Sequence, residues 1–139
     1  MKTAVDTSVL LDVLQGHPVF GAASKRALER AYDAGVLLAC DVVWAELGAH
    51  FASEHAFAEA AGTLHLRFDP LLPKAAALAG RLWRESRRNA RGSGVPRGRV
   101  VADFLIGAHA RHQADALLTR DSGFYRQRFG ELRVIDPTA

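Results

Sequence analysis

Near its amino terminus the chain reads Ala4-Val5-Asp6-Thr7-Ser8-Val9-Leu10-Leu11-Asp12, which is typical of a short buried strand followed by a helix. The pattern predicts a strand over residues 3–6, and Thr7 or Ser8 is expected to cap the helix. Asp6 then lies where the strand ends. Because open parallel α/β sheets bind ligands just outside the carboxyl ends of their strands, this carboxylate is placed for chemistry or for helix capping.

Further along, short apolar runs alternate with helical patterns. Strands are expected at residues 36–40, 116–119 and 132–135, with either a strand or an extended linker at 64–68. Helical spacing predicts the remaining elements over about 18–34, from 41 onward, and over about 73–89, 99–113 and 121–129. This alternation predicts an α/β/α sandwich of three layers with a central parallel sheet of four to five strands. One domain is expected over residues 1–139, a length that suits a single core.

The composition narrows the class of protein. The chain is 49% hydrophobic and 24% charged, with a formal net charge of +3, as in ordinary globular proteins. No apolar run approaches the roughly 20 residues that span a bilayer, and no signal-peptide pattern is visible, so no membrane partner is expected. Cys40 is the only cysteine, which excludes an intrachain disulfide and favours a reducing, cytoplasmic compartment. The positive charge permits a polyanionic partner.

Four acids occupy comparable positions in this plan. Asp6 and Asp121 follow buried strands, and Glu46 and Asp103 each lie about one turn into a helix. In a doubly wound sheet these positions converge on one crevice. Four carboxylates repel one another at close range unless a cation joins them, and hard divalent ions such as Mg²⁺ and Mn²⁺ prefer oxygen ligands. The acids therefore indicate a site that could cleave phosphodiesters.

Each acid also has a purely structural explanation. Asp6 and Asp121 could be helix or turn caps, and Glu46 could be a solvated helix residue. Asp103 lies among apolar residues, and Gly107, one turn later, would permit close helix packing. Asp12 and the remaining acids are expected at helix, cap and loop positions. The six histidines are dispersed and do not predict a transition-metal site.

The chain resembles the PIN domain, and in particular the VapC-type toxins of bacterial and archaeal toxin–antitoxin pairs. Four segments carry the resemblance, in the family's order and at its usual spacings: Val5-Asp6-Thr7-Ser8-Val9-Leu10, Val43-Trp44-Ala45-Glu46-Leu47, Asp103-Phe104-Leu105-Ile106-Gly107-Ala108-His109-Ala110 and Leu117-Leu118-Thr119-Arg120-Asp121-Ser122-Gly123-Phe124-Tyr125.

The resemblance implies an endoribonuclease that depends on Mg²⁺ or Mn²⁺ and is the toxin of a type II toxin–antitoxin system. It also implies a homodimer and a cognate antitoxin that inserts a peptide near the site. Some family members carry asparagine where Asp121 stands, with an acid further along, whereas Asp121 is the only acid of its loop here. The implied catalytic and metal-binding residues are Asp6, Glu46, Asp103 and Asp121, supported by Thr7, Ser8 and Thr119.

Arginines supply candidate contacts to an RNA substrate. Arg81, Arg84 and Arg88 share one helical face, which is either a solvated face or a phosphate-contacting surface. Apolar residues of the same helix are expected to pack instead: Leu78, Leu82 and Trp83. The preferred substrate contacts are Arg97 and Arg99, with Arg120 as a further one.

Two other functions remain open at this point. The chain could be a non-catalytic PIN-like module that binds RNA or a partner protein. It could also be a phosphotransferase with Asp6 as the nucleophile. That second reading is disfavoured because Ser8 stands where the dehalogenase pattern has a second aspartate, and because Lys74 is the only lysine after Lys25.

Overall fold

The computed structural model describes residues 1–93 and 100–139, and the side chains of residues 1–88 and 100–139. Five strands and seven helices lie within these ranges, mostly in alternation. They are β1 (Lys2–Val5), α1 (Thr7–Leu14), α2 (Gly21–Ala34), β2 (Val36–Ala39), α3 (Asp41–Gly48), α4 (Glu54–Thr63), β3 (Leu66–Phe68), α5 (Pro73–Ser93), α6 (Val101–Gln113), β4 (Ala116–Leu118), α7 (Ser122–Arg128) and β5 (Val134–Ile135). Within the described part of the chain, no helix is both long and apolar enough to cross a membrane.

The five strands form one sheet in the order β3-β2-β1-β4-β5. Every neighbouring pair is parallel, and β1 lies between β2 and β4. The predicted parallel α/β/α architecture is therefore confirmed, and residues 66–68 form a strand rather than a linker. The chain moves outward from β1 to β3 and then crosses back to β4, so the direction of winding reverses between β1 and β4. A reversal of this kind opens a crevice at the carboxyl ends of the two strands.

The core explains why the central strands are mostly apolar. Residues 4–5 of β1, 37–39 of β2 and 116–118 of β4 are buried, as expected for strands covered on both faces. Helices contribute further buried side chains, among them Val9, Leu10, Val43, Leu47 and Phe104. The sheet is thus a rigid platform, and the polar residues that follow its strands are carried on it.

The cap predicted for the first helix is wrong. Helix α1 begins at Thr7, and its N-cap is Asp6 rather than Thr7 or Ser8, because the Asp6 carboxylate accepts the Thr7 N–H. Helix α3 is capped at Cys40, one residue before Asp41. Asp41 Oδ1 instead accepts the Leu71 N–H at 2.7 Å, so this carboxylate joins α3 to the segment that leads into α5.

Helix α6 is anchored at two levels. Gly107 permits the close packing expected of it, since a Cβ there would lie 2.3 Å from Cε2 of the buried Phe129. At its carboxyl end, the buried His109 Nε2 lies 2.8 Å from Asp69 Oδ2, and Gln113 Nε2 donates to the same oxygen at 3.1 Å. These contacts tie α6 to the connection between β3 and α5 and fix the helix that carries Asp103.

Candidate active site

A cavity of about 760 Å³ opens at the crevice beyond β1 and β4. All four acids singled out in the sequence line it, so residues far apart in the chain are brought together where the sheet reverses. Asp6 and Asp121 come from the ends of β1 and β4, Glu46 from α3 and Asp103 from the first turn of α6. The remaining lining residues are Thr7, Ser8, Leu11, Ala49, His50, Ile106 and Arg120.

Asp6 is held by both of its carboxylate oxygens. Oδ1 accepts the Thr7 N–H at 2.8 Å, and Oδ2 accepts the Thr119 hydroxyl at 2.8 Å. Burial raises the pKa of Asp6 from 3.8 to about 6, against the lowering effect of the two hydrogen bonds, and the nearby charges of Asp103 and Glu46 raise it further. The negative charge of Asp6 is therefore costly in the protein alone, and a cation in the cavity would favour it.

Thr119 joins the two central strand ends through a single hydroxyl. Its Oγ1 donates to Asp6 and accepts the Asp121 N–H at 3.0 Å. Its backbone N–H donates to Ile135 O of β5 at 3.0 Å. Because Thr119 is fully buried, this network fixes Asp6 and the start of the Asp121 loop relative to each other.

A second hydroxyl, that of Thr7, positions the acid on α3. Thr7 Oγ1 donates to Glu46 Oε1 at 2.7 Å. Glu46 is exposed and Thr7 is buried, so the fixed end of this hydrogen bond belongs to α1. The contact holds the Glu46 carboxylate over the cavity and not out in solvent. Ser8, the third supporting residue predicted, lines the cavity next to Thr7.

The structural alternative for Asp121 was a cap at the start of the last helix. It stands at the N-cap of α7, but its carboxylate makes no capping hydrogen bond with that described helix. It is half-buried and faces the cavity, as does Asp103. Both residues thus line the cavity and are half-buried, unlike a solvated surface acid.

Arg120, predicted as a substrate contact, is engaged elsewhere. It lines the cavity, but its Nε donates to Asp12 Oδ2 at 2.7 Å and its Nη2 to Asp12 Oδ1 at 3.1 Å. Asp12 is only 3% exposed. Asp12 is a site neighbour that the sequence does not identify by type. A signal for it exists, because a carboxylate three residues after the buried Val9 lies on the apolar stripe of α1, and a buried carboxylate needs a partner.

The other arginines divide between exposed and undescribed positions. Arg81, Arg84 and Arg88 are exposed along α5, while Leu78, Leu82 and Trp83 pack against the core as predicted. The preferred substrate contacts, Arg97 and Arg99, lie outside the described residues.

The donor set of the cavity suits a hard divalent cation. Its acids are all carboxylates, the oxygen ligands that Mg²⁺ and Mn²⁺ prefer, and the charges of Asp103 and Glu46 lie close enough to Asp6 to contribute to its raised pKa. Among the side chains described, no three His, Cys, Asp or Glu are already drawn together as a metal cluster. The residues therefore fit such an ion by the chemistry of their oxygen atoms and by their common place in the cavity lining.

Known structures share this fold over nearly their whole length. VapBC2 from Rickettsia felis, bound to a DNA fragment from its promoter, is 18% identical with a TM-score of 0.65, and 98% of each chain is covered. VapBC-1 from nontypeable Haemophilus influenzae is 17% identical with a TM-score of 0.66 and full coverage of both chains. A third is VapC20 of Mycobacterium tuberculosis, a toxin that cleaves the sarcin–ricin loop, at 20% identity and a TM-score of 0.58, with 94% of this chain and 98% of that chain covered.

No curated protein matches the chain. A family model does: the model of the PIN domain matches residues 3–130. That match includes all four acids of the cavity and the hydroxyl residues Thr7 and Thr119. The chain therefore belongs to the PIN domain family.

Proposed function

We propose that this protein is a divalent-metal-dependent endoribonuclease and the toxin of a type II toxin–antitoxin pair. One observation carries the proposal: four carboxylates line a single cavity at the crevice where the sheet reverses. The similar structures support the biological context, since they are toxin–antitoxin complexes and a toxin that cleaves the sarcin–ricin loop. The non-catalytic alternative does not explain why Asp6 is held in a costly charged state by two hydroxyl-bearing residues.

In this proposal each acid has a role that follows from its position in the cavity. Asp6, Asp103 and Asp121 hold Mg²⁺ or Mn²⁺, and Glu46, fixed by the Thr7 hydroxyl, binds the ion or orients a water molecule. When bound, the ion supplies neutralisation of phosphate charge and a water of lowered pKa. Thr119 keeps Asp6 and the Asp121 loop in register. The protein thus contributes positioned oxygen atoms, and a nucleophilic aspartate is not required.

RNA binding is assigned to arginines of α5 and of the segment that precedes α6. Arg97 and Arg99 remain the proposed contacts next to the Asp103 helix. The exposed row Arg81, Arg84 and Arg88 on α5 would contact phosphates further along the strand. Arg120 is removed from this group because Asp12 holds its guanidinium.

The partners follow from the same proposal. Residues 1–139 form one nuclease domain that acts in the cytoplasm as a homodimer, and a cognate antitoxin blocks the cavity. Coexpression with the small protein encoded next to this chain's gene is expected to give a stable complex without nuclease activity. Recovery of active, uncomplexed protein from that coexpression would contradict the antitoxin assignment.

The decisive experiment is digestion of total RNA with Mg²⁺, with Mn²⁺ and with EDTA. The wild-type protein is expected to make discrete cuts that EDTA abolishes. Asp6→Asn is expected to lower the cleavage rate at least about 100-fold, because an amide is a poor ligand for a hard cation, whereas asparagine still caps α1. The matched control is Asp33→Asn, which changes an exposed acid of α2 and should cleave like wild type.

Two outcomes would contradict the proposal. Cleavage by Asp6→Asn at the wild-type rate would remove Asp6 from the site, and cleavage unaffected by EDTA would remove the metal. RNA binding without cleavage under every metal condition would favour the non-catalytic module.

A further inference from the structure

Asp12 and Arg120 form an ion pair that the proposed chemistry does not use. Two guanidinium nitrogens meet both carboxylate oxygens, at 2.7 and 3.1 Å, which is the two-pronged geometry that arginine makes and lysine cannot. Ser24 Oγ of α2 donates to Asp12 Oδ2 at 2.8 Å. Asp12 is therefore a buried junction of three segments: α1, α2 and the loop after β4.

Arg120 is also held from its flat face. Its guanidinium carbon lies 4.2 Å from the centre of the Phe20 ring, a favourable distance for a cation on an aromatic ring. The position of Phe20 is itself fixed, because His17 Nδ1 accepts the N–H groups of Val19 and Phe20 at 3.1 Å each. The Arg120 guanidinium is thus bound both on its edge and on its face, and these contacts compete with the binding of an RNA phosphate group.

The residues on either side of Arg120 belong to the proposed metal site. Thr119 donates its hydroxyl to Asp6, and Asp121 lines the cavity. Thr119 is fixed through its own backbone bond to β5, whereas the backbone beyond it leaves the sheet. The Arg120 side chain fastens this departing loop to α1 through Asp12.

We infer that Arg120 is a positioning residue and that the Asp12–Arg120 pair sets the placement of Asp121 relative to Asp6. The inference rests on the proposed function, because the consequence of this placement is the affinity of the cavity for a divalent cation. It replaces the substrate-binding role expected for Arg120. Asp12 then acts on the site from a position that RNA cannot reach.

The test compares variants on both sides of the pair: Asp12→Asn, Arg120→Gln, the double variant and Arg120→Lys. Mn²⁺ affinity is measured by calorimetry on the protein without RNA, and kcat and KM are measured on RNA. Each single variant is expected to weaken Mn²⁺ binding about 10- to 100-fold and to lower kcat, with KM at saturating metal within about twofold of wild type. The double variant should be no worse than either single one, since one interaction is lost in all three.

Two variants keep the test informative if the neutralised ones fold poorly. Arg120→Lys retains the positive charge beside Asp12 but loses the fork, and it should weaken Mn²⁺ binding while its thermal unfolding remains cooperative. Ser24→Ala removes a hydrogen bond from the same carboxylate and keeps the ion pair, so its Mn²⁺ affinity should stay within about threefold of wild type.

The results distinguish three cases. If Arg120 variants raise KM and leave Mn²⁺ affinity unchanged while Asp12→Asn behaves like wild type, Arg120 is a phosphate contact and the inference is wrong. If wild type binds Mn²⁺ and cleaves RNA but all pair variants do so equally well, only the positioning role fails. If wild-type protein neither binds Mn²⁺ nor cleaves RNA, the proposed function fails and the inference with it.

Discussion

At the scale of single residues, Asp6 shows that one carboxylate can cap a helix and line a cavity at the same time. The sequence presented capping and chemistry as alternatives, and the structure has Asp6 capping α1 with Oδ1 while Oδ2 faces the Thr119 hydroxyl in the cavity. The sequence could not decide this, because the choice of cap depends on where the chain leaves the sheet. Three adjacent residues, Asp6, Thr7 and Ser8, were all suitable caps by type.

The raised pKa of Asp6 predicts how the stability of the metal-free protein depends on pH. Since the folded pKa is about 6 and the unfolded value about 3.8, the folded state binds more protons between them, and stability falls as pH rises through this window. Asp6→Asn removes the cost. It is expected to raise the free energy of unfolding by about 3 kcal/mol at pH 8 and by about 1 kcal/mol at pH 4.5.

Urea unfolding in EDTA at the two pH values measures this difference. Asp33→Asn is the control, because an exposed acid should change the free energy of unfolding by less than about 0.5 kcal/mol at either pH. An Asp6→Asn protein that is less stable than wild type at pH 8 would contradict the assignment. The substitution that abolishes activity is thus expected to stabilise the fold, which is typical of residues kept for function.

At the scale of elements, helix α5 has apolar side chains that pack against the core and arginines that are exposed. Leu78, Leu82 and Trp83 pack against the core, and Arg81, Arg84 and Arg88 remain exposed. Arg87 makes a cation–π contact, because its guanidinium carbon lies 5.0 Å from the centre of the Trp83 ring. In the proposed function, the exposed row is therefore the part of α5 that contacts RNA phosphates.

This row gives a quantitative expectation for RNA binding. The triple variant Arg81→Gln, Arg84→Gln and Arg88→Gln should bind RNA more weakly, and the slope of log affinity against log salt should become shallower by about 2, since about 0.7 counterions are released per phosphate contact in single strands. Fluorescence anisotropy over a salt series measures the slope.

A matched loss of charge on another helix is the control. Lys25→Gln, Arg26→Gln and Arg30→Gln remove three exposed positive charges from α2 and should change the slope by less than about 0.5. Equal effects of the two triple variants would mean that only net charge matters, and α5 would then carry no specific contact.

The elements themselves were predictable to different extents. Apolar runs indicated the positions of β1, β2 and β4, because strands buried on both faces are mostly apolar. Helix ends were less accurate: α2 begins at Gly21 instead of near Pro18, and α5 continues to Ser93. These ends depend on contacts with the neighbouring segments, which local patterns do not contain.

At the scale of the whole molecule, the convergence of the four acids followed from topology. Asp6 and Asp121 could be placed at one edge because parallel strands share the direction of their carboxyl ends. The pairing of Asp12 with Arg120 could not be predicted, since the two residues lie 108 positions apart and nothing in either local pattern identifies the partner. The sequence alone therefore predicts a substrate contact at Arg120, because this residue is adjacent to Asp121.

The order of the strands predicts the behaviour of a shortened chain. A variant that ends at Gln113 lacks β4 and β5, leaves one edge of β1 unpaired and removes the Thr119 hydrogen bond to Asp6. It is expected to show no cooperative thermal transition by circular dichroism and no cleavage of RNA. A control that ends at Pro137 retains every strand and should melt cooperatively. A cooperative transition in the shorter chain would show that β4 is dispensable for folding.

The central position of β1 has a consequence for biosynthesis. Ribosomes make a chain from its amino terminus, so β1 and Asp6 are synthesised before the partner strand β4 and before the acids Asp103 and Asp121. A nascent chain therefore cannot assemble the cavity while most of it is being translated, and a prematurely terminated product carries only part of it. For the ribonuclease proposed above, activity is therefore expected only after the last strands have been made.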